Sequence, residues 1–213
     1  MEMQQEFELE QEPAAAEIIF GDRIGMARDY ATNLVLDADL LGLLGPREMP
    51  KLWSRHILNS AVVAELLETG DTVADIGSGA GLPGIPMAIA RPDVHFTLIE
   101  PMERRSSWLQ QQVDEIGLEN VTVIRARAEE VRDRKFTVAT ARAVSALPKL
   151  LRLCVPLVSP GGRVLALKGS KAQDEIEESK PLMKKLKLAG FEIVYTGVNR
   201  LPETTLVVVA RLN

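Results

Sequence analysis

The first seventy residues carry apolar side chains at the spacing of helices. Between about Ile18 and Leu44 these side chains recur every three or four positions, which predicts amphipathic helices, and Gly45-Pro46 ends the region. A second helix is predicted to begin at Pro50. Its inward face would carry Leu52, Trp53, Ile57, Ala61, Ala64 and Leu67.

Beyond residue 70, short apolar runs alternate with helical stretches. The runs predict strands at residues 72–76, 94–99, 121–124, 137–141, 163–168, 191–196 and 204–210. Helices are predicted at 84–90, 103–116 and 146–158, followed by a turn at 159–162. Two further helical stretches come later, and the second is opened by Pro181 and carries Leu182, Leu186 and Ala189 at helical spacing. This alternation predicts a parallel, doubly wound sheet. No helix separates the last two strands, so we expect the last strand to lie antiparallel beside its predecessor.

A glycine-rich turn follows the first predicted strand. Asp75 is followed by Gly77, Gly79, Gly81 and Gly84. Glycine has no Cβ, so a ligand can lie directly against such a backbone. The last three glycines fit the G-x-G-x-x-G fingerprint of dinucleotide-binding proteins, whereas Asp75 and Gly77 extend the match to the Asp-x-Gly-x-Gly-x-Gly turn of S-adenosylmethionine (SAM) enzymes. A third interpretation, a tight turn without a ligand, leaves the entropic cost of four glycines unexplained.

Ligands of such sheets bind at the carboxyl ends of the strands, so the loops after the next three strands are candidate contacts. Glu100 ends the second strand, and its carboxylate could accept both hydroxyls of a ribose. Ala128-Glu129, after the third strand, is where contacts to an adenine base are expected. Arg142, after the fourth strand, is expected where the reactive end of the cofactor meets the substrate, and it could grip a phosphate. Each of these residues could instead be an ordinary surface side chain.

Composition narrows the class of protein. One cysteine, Cys154, and two histidines, His56 and His95, argue against a disulfide framework and against a metal site built from Cys or His. No apolar run is long enough to span a membrane, and no signal-peptide pattern is present, so we expect a cytoplasmic protein. The 213 residues predict one domain in three parts: an acidic flexible tail at 1–17, a helical extension at 18–70 and a SAM-binding domain at 71–213.

Charge is distributed unevenly along the chain. The net charge is −5, but residues 1–17 hold six Glu and neither Lys nor Arg, which leaves 24 acidic and 25 basic residues in the rest. The body is therefore close to neutral, and local basic stretches can matter. One such stretch lies beside the expected ligand loops, although it could equally be a solvated face: Arg104, Arg105, Arg125, Arg127, Arg132, Arg134 and Lys135.

Several motifs together resemble one family, the bacterial 16S rRNA guanine-N7 methyltransferases, also called glucose-inhibited division protein B. Residues 77–84, Gly-Ser-Gly-Ala-Gly-Leu-Pro-Gly, are similar to its cofactor loop, and residues 53–60, Trp-Ser-Arg-His-Ile-Leu-Asn-Ser, to its signature helix. Arg142-Ala143 and residues 166–169, Ala-Leu-Lys-Gly, resemble its later motifs. The resemblance runs from roughly Gly21 to the end of the chain.

The chain departs from the family pattern at three places. Asn59 stands where the family usually has Asp, which leaves open whether that position needs a negative charge. Pro101 stands where Ser is usual. Arg104-Arg105 replaces a Lys pair, and because arginine keeps the charge, a role in contacting phosphate survives.

The resemblance implies a class I SAM-dependent methyltransferase fold and transfer of a methyl group from SAM to N7 of a guanine in the decoding-centre loop of 16S rRNA. It implies 16S rRNA as partner, free or within the small ribosomal subunit, and no metal; we expect a monomer without an obligate protein partner. Together with the glycine turn it indicates cofactor contacts at Asp75, Gly77, Gly79, Gly81, Leu82, Glu100, Ala128, Glu129 and Arg142. Candidates for binding RNA are Arg55, His56, Arg104, Arg105 and Lys168. Candidates for positioning the target base are Arg142, Ser145 and His56.

The chemistry of guanine N7 agrees with the motifs that are missing. N7 carries a free lone pair, so alignment in a water-free site suffices and no general base is required. Residues 141–144, Ala-Arg-Ala-Val, lack the Asp/Asn-Pro-Pro-Tyr/Phe motif of amine methyltransferases. Methylation at C5 of a pyrimidine would need a cysteine nucleophile, and Cys154 lies in a predicted apolar helix, where it is expected to be part of the core. Three alternatives stay open: a SAM enzyme of a small molecule, a nicotinamide oxidoreductase, and a binding module without turnover.

Overall fold

A computed structural model describes residues 9–213, apart from the side chain of Asp39, and within them seven strands form one sheet. The strands are β1 (Thr72–Ile76), β2 (His95–Ile99), β3 (Val121–Ile124), β4 (Phe136–Arg142), β5 (Val158–Leu167), β6 (Leu188–Thr196) and β7 (Thr205–Leu212). Their order is β3-β2-β1-β4-β5-β7-β6. The ladders from β3 to β5 are parallel, and β7 runs antiparallel to both β5 and β6. The predicted mostly parallel sheet with an antiparallel last strand is confirmed.

Helices cover both faces of the sheet. They are α1 (Ala15–Phe20), α2 (Ile24–Leu41), α3 (Asn59–Ala61), α4 (Gly84–Ala90), α5 (Glu103–Ile116), α6 (Leu147–Cys154), α7 (Ala172–Ser179) and α8 (Met183–Leu186). Short 3₁₀ segments lie at Gly21–Arg23, Pro46–Lys51, Val62–Leu66, Ala128–Glu130, Val155–Leu157 and Lys180–Leu182, and a π-helical segment lies at Leu52–Leu58. One core packs α1, α2, α4 and α5 on one face, and a second packs α6 and α7 on the other. Successive side chains along each strand point to opposite faces of the sheet, so they pack alternately in the two cores.

The bounds of β1, β3, α4 and α5 are those predicted, but three predictions about helices are wrong. Pro50 lies inside a 3₁₀ turn and does not open a helix, because the π-helical segment begins at Leu52. The helix predicted at 146–158 ends at Cys154, where Pro156 removes a backbone donor and crowds the preceding turn. Ala189 lies in β6 and not in a helix, since Lys187 takes a left-handed conformation that ends α8.

The turn predicted at 159–162 is part of β5, but it interrupts the ladder. The register against β4 passes from Phe136↔Val158 to Val138↔Arg163, so the residues between Val158 and Arg163 bulge out of the pairing. Gly161, with φ +77°, provides the local bend.

Helical structure begins at Ala15, three residues before the predicted start. The residues just before it contact the body: Arg28 donates to the Glu12 carboxylate at 2.7 Å, and the Ser54 N–H donates to Glu10 at 3.0 Å. The first eight residues of the expected acidic tail lie outside the described part of the chain, and the division into three parts stays a prediction. Within residues 9–213, no helix combines the length and the apolar character that crossing a membrane requires.

Candidate functional site

A cavity of about 450 Å³ opens at the carboxyl ends of β1, β2 and β4. The sheet order reverses between β1 and β4, which is where ligands of doubly wound sheets bind. Five of the nine predicted cofactor residues line this cavity, together with Leu43 and Leu44 from the bend after α2: Gly77, Gly79, Leu82, Glu100 and Arg142. We name it the cofactor cavity.

The glycines of the turn serve two physical purposes, close packing of the turn and an open backbone at the cavity. Gly77, Gly79 and Gly81 all have positive φ, a conformation that side chains disfavour. Among the residues that the structure describes, a Cβ on Gly79 would have only the Gly77 carbonyl oxygen within 4 Å, at 3.8 Å, so this position is left open towards the cavity. A Cβ on Gly81 would meet Ile85 at 2.5 Å, and one on Gly84 would meet Leu98 at 2.4 Å. The last two glycines therefore allow the turn to pack, whereas Gly79 leaves its backbone accessible.

Asp75 supports the turn from beneath and lies outside the lining of the cavity. Its Oδ2 accepts the Gly84 N–H at 3.1 Å, and its backbone oxygen accepts the Ser78 hydroxyl at 3.0 Å. Oδ1 is buried without a hydrogen-bond partner among the described residues. Burial, with a smaller contribution from Glu100, raises the pKa of Asp75 to about 7. The residue therefore acts on the turn, and its predicted contact with a cofactor is indirect in this geometry.

Glu100 is fixed by the backbone on both sides. Its Oε2 accepts the Gly79 N–H and its Oε1 accepts the Met102 N–H, each at 2.9 Å, and the residue is 3% exposed. Each carboxylate oxygen has a second lone pair, so both can still accept a hydroxyl from a ligand. An open glycine backbone beside a rigid carboxylate fits a nucleoside-type cofactor such as SAM.

Three other predicted cofactor residues lie outside the lining of this cavity. Gly81 faces Ile85 in the protein interior. Ala128 and Glu129 begin the 3₁₀ turn after β3, at the same edge of the sheet, and Ala128 is buried against the second core. Their contact with an adenine base stays a prediction.

Arg142, the last residue of β4, is held by a single turn of helix. Its Nη1 donates to the His56 carbonyl at 3.2 Å and to the Ser60 hydroxyl at 3.1 Å, and its Nη2 donates to His56 Nδ1 at 2.8 Å. Burial lowers the pKa of the guanidinium, and no carboxylate in the described part of the chain forms an ion pair with it.

His56 has both ring nitrogens occupied within the protein. Arginine can only donate, so Nδ1 must accept from Arg142, and Nε2 carries the proton that it donates to Glu48 Oε2 at 2.8 Å. Burial and the neighbouring Arg142 lower the pKa of His56 to about 4, so the ring is neutral at pH 7. Although His56 lines the cofactor cavity, neither ring nitrogen is left for RNA or a proton transfer.

A second cavity, of about 600 Å³, lies on the other side of Arg142-Ala143. Arg142 and Ala143 line both cavities. The remaining wall of the second cavity comes from the signature helix, the end of β5 and the start of β7: Arg55, Asn59, Leu167, Lys168, Gly169, Ser170, Thr204, Thr205 and Leu206. We name it the substrate cavity. Arg55 and Lys168, two of the predicted RNA-binding residues, both line it, and their contact with RNA stays a prediction.

Most of the predicted RNA-binding cations are engaged within the protein. Lys168 donates to the Ser145 carbonyl and to Glu175, both at 2.8 Å, and its side chain is 9% exposed. Arg104 and Arg105 donate to carbonyls that end α2, those of Leu40 and Gly42. Ser145 is half-buried in the loop that Lys168 holds, outside the lining of either cavity. Arg55 differs, since its side chain is 55% exposed and its nearest carboxylate, that of Glu48, is 3.5 Å away.

Sequence reasoning missed two side chains that act on the site from the N-terminal segment. The Tyr30 hydroxyl, fully buried on α2, donates to the Ala80 carbonyl in the glycine turn at 2.6 Å. Glu48 accepts from His56 as described above. Tyr30 lies 50 residues from its partner, and a polar tip on a buried helix face was the only signal available in the sequence.

Comparison with known proteins gives one consistent group. The model of the GidB family, described as rRNA small subunit methyltransferase G, matches residues 23–201. The Ribosomal RNA small subunit methyltransferase G of Leifsonia xyli subsp. xyli is 52% identical over 201 residues, which cover 94% of this chain and 96% of that protein.

Solved structures share the fold at low identity. A methyltransferase from Pyrococcus furiosus superposes with a TM-score of 0.60 at 16% identity, over 89% of this chain and 98% of that one. M. jannaschii TYW2 in complex with AdoMet (SAM) superposes with a TM-score of 0.58 at 22% identity, over 75% and 76%. These likenesses show the class I SAM-dependent methyltransferase fold.

Proposed function

Because the chain belongs to the rRNA small subunit methyltransferase G family, we propose that it transfers the methyl group of SAM to N7 of a guanine in the decoding-centre loop of 16S rRNA. The observation that carries the proposal is the pair of cavities that meet at Arg142-Ala143. One has the open glycine backbone and fixed carboxylate suited to a nucleoside cofactor, and the other has exposed positive charge at Arg55 suited to a phosphate backbone.

The cofactor would be held mainly by groups that are already rigid. Gly77 and Gly79 present backbone, Leu82 presents an apolar surface, and Glu100 presents a carboxylate for the ribose hydroxyls. SAM, when bound, supplies an electrophilic methyl group. The apolar side chains of Leu43, Leu44 and Val144 at the same cavity would help to exclude water from it.

The residues near the junction of the cavities agree with a nucleophile that needs no base. Both nitrogens of His56 are bonded, and Cys154 is fully buried in the second core, where burial raises the pKa of its thiol. Alignment of the target base is then what the protein has to supply. Arg142 is positioned to do this because it is the one charged side chain that lines both cavities of the described structure.

The alternatives fare differently. A nicotinamide oxidoreductase has no support, since the chain belongs to a methyltransferase family and β7 lies antiparallel between β5 and β6, the ending that we expect of SAM methyltransferases. A SAM enzyme of a small molecule would leave Arg55 without a role and would not show salt-dependent binding.

An rRNA substrate also implies a cytoplasmic enzyme, and we expect the small ribosomal subunit or free 16S rRNA to be the acceptor.

The test is transfer of labelled methyl from SAM to small ribosomal subunits and to naked rRNA, both taken from a strain that lacks this gene, with mass mapping of the product. We expect one N7-methylguanine in the decoding-centre loop, abolished by Arg142→Ala. If S-adenosylhomocysteine raises the melting temperature but neither acceptor is labelled, the cofactor assignment stands and the proposed substrate is wrong.

A further inference from the structure

We propose that Glu48, acting through His56, is a positioning residue that fixes the Arg142 guanidinium at the junction of the two cavities. The proposal rests on the proposed function for its kinetic consequences, but the geometry can be tested without turnover. We name the three residues the Glu48–His56–Arg142 chain.

The hydrogen bonds allow one arrangement of protons along this chain. Arg142 donates to His56 Nδ1 at 2.8 Å, so the imidazole must be the Nε2–H tautomer, and Nε2 then donates to Glu48 at 2.8 Å. Burial alone would raise the pKa of Glu48, but the bond to His56 and the nearby cations Arg55 and Lys51 bring it below its ordinary value. Glu48 is therefore ionised at neutral pH and is a strong acceptor for the ring proton.

The neutral ring between the two charges has a physical consequence. A carboxylate bonded directly to Arg142 would occupy its donors and offset its charge within the cavities. Placed behind the imidazole, Glu48 strengthens Nδ1 as an acceptor while the guanidinium keeps its charge towards the ligands, as carboxylates do behind metal-bound histidines. The three observed bonds use three of the five N–H donors of Arg142, and two remain for a ligand.

Local structure places the three partners on one small surface. His56 lies in the π-helical segment Leu52–Leu58, a form that is frequent at functional sites. Ser60, one turn later, donates to the His56 carbonyl at 2.6 Å while accepting from Arg142. Glu48 comes from the 3₁₀ turn Pro46–Lys51 that leads into this helix. The charged groups that face His56 are thus Glu48, Arg55 and Arg142.

Two substitutions at His56 separate the two hydrogen bonds of the Glu48–His56–Arg142 chain. The side-chain oxygen of His56→Asn can replace Nδ1 and accept from Arg142, but it cannot reach Glu48. The longer amide of His56→Gln can replace Nε2 and donate to Glu48, but it leaves Arg142 without that acceptor. We expect kcat/KM for methyl transfer to fall about 10–100-fold in His56→Gln and only about fivefold in His56→Asn. Equal losses in the two variants would overturn the proposal.

A double-mutant cycle tests the role of Glu48. Glu48→Ala removes the same link as His56→Asn, so it is expected to lower kcat/KM about fivefold in the wild-type background and to have no further effect in an Arg142→Lys background, because its target is already displaced. Additive losses would show that Glu48 stabilises the fold without acting through Arg142, and would contradict the proposal. Glu177→Gln, which alters an exposed pair with Lys180, is the control and should leave both activity and melting unchanged.

The proton arrangement can be read directly, since the chain has two histidines. A long-range ¹H–¹⁵N spectrum of the intact protein, assigned with His95→Asn, should show His56 as the neutral Nε2–H tautomer from pH 6 to 8. An Nδ1–H tautomer or a charged ring would overturn the proposal whatever the substrate is. If the spectrum is as expected but no rRNA is methylated by the wild type, the proposed function fails and the arrangement of the Glu48–His56–Arg142 chain stands.

Discussion

The cofactor cavity and the substrate cavity share the wall at Arg142-Ala143, but they are built in different ways. The cofactor cavity depends on backbone features: two lining glycines at positive φ, Gly77 and Gly79, and the Glu100 carboxylate, whose two oxygens both accept backbone N–H groups. The substrate cavity takes its charge from three long cationic side chains, Arg55, Arg142 and Lys168, and the last two are already bonded to other parts of the protein.

The difference teaches which kind of site a sequence reveals. A backbone site needs particular residue types at fixed spacing, so it leaves a motif. A site of charged side chains depends on which partners each charge meets in three dimensions, and a basic residue that looks available in the sequence can be committed to holding a loop.

The largest expected effect comes from closing the backbone site with Gly79→Asp. The new side chain would enter the open space at φ +55° and place a second carboxylate beside Glu100. We expect loss of methyl transfer and of the melting-temperature increase caused by S-adenosylhomocysteine. Gly117→Asp is the matched control, because Gly117 has φ +76° and a Cβ there meets no atom of the described residues within 4 Å. Retained stabilisation by S-adenosylhomocysteine in Gly79→Asp would contradict the assignment of this cavity.

Lys168→Ala and Arg55→Ala should distinguish a cation that is bonded within the protein from one that is exposed and can bind RNA. Removing Lys168 breaks its bonds to Ser145 and Glu175, and we expect the free energy of unfolding to fall by about 1–3 kcal/mol. Removing the exposed Arg55 should change stability by less than about 0.5 kcal/mol while weakening RNA binding and lowering its salt slope by about 1. Denaturant melts and filter binding at several salt concentrations check both. If Arg55→Ala lowered stability and Lys168→Ala weakened RNA binding without lowering stability, the roles assigned to the two cations would be wrong.

Asp75→Asn should reveal how much free energy the burial of a carboxylate beneath the glycine turn costs. Burial holds the pKa of Asp75 in the folded protein at about 7, above its unfolded value of 3.8, so its contribution to stability is present below pH 4 and is lost as the pH rises to 7. Wild type should lose stability relative to Asp75→Asn over this range, by at most about 1.4 kcal/mol per pH unit. Melting temperatures of both proteins from pH 4.5 to 7.5 provide the measurement. Parallel curves would show that the pKa is not raised.

Tyr30→Phe should have the smallest effect. It removes the hydroxyl that donates to Ala80 and keeps the ring that packs near Trp108. We expect the free energy of unfolding to fall by about 1 kcal/mol and the affinity for S-adenosylhomocysteine to fall a few-fold, measured by calorimetry. Unchanged affinity would mean that α2 supports the fold but not the shape of the cofactor turn.

The sequence predicted the sheet and the backbone site for the same reason. The alternation of apolar runs with helical stretches gives the bounds of β1, β3, α4 and α5. The distance of Glu100 from Gly77 and its place at a strand end make it the candidate for binding a ribose. What could not be predicted depends on contacts between distant segments. Glu48, Tyr30 and the commitment of Lys168 to Ser145 carry no spacing rule, and the π-helical form of residues 52–58 has no pattern that separates it from an ordinary helix.

The place of β7 in the sheet has a consequence for how the protein is made. Among residues 9–213, β6 pairs with no strand except β7, which is synthesised after it and lies between β6 and β5. During translation β6 must therefore wait, unpaired, until the following strand emerges and inserts between the two. A strand pairing that depends on a later segment delays completion of the sheet. Until then, the unpaired strand exposes backbone groups that can pair with the wrong strand. We expect the half of the sheet around β1 and β4 to assemble first on the ribosome, with the β6–β7 pair docking as the last event.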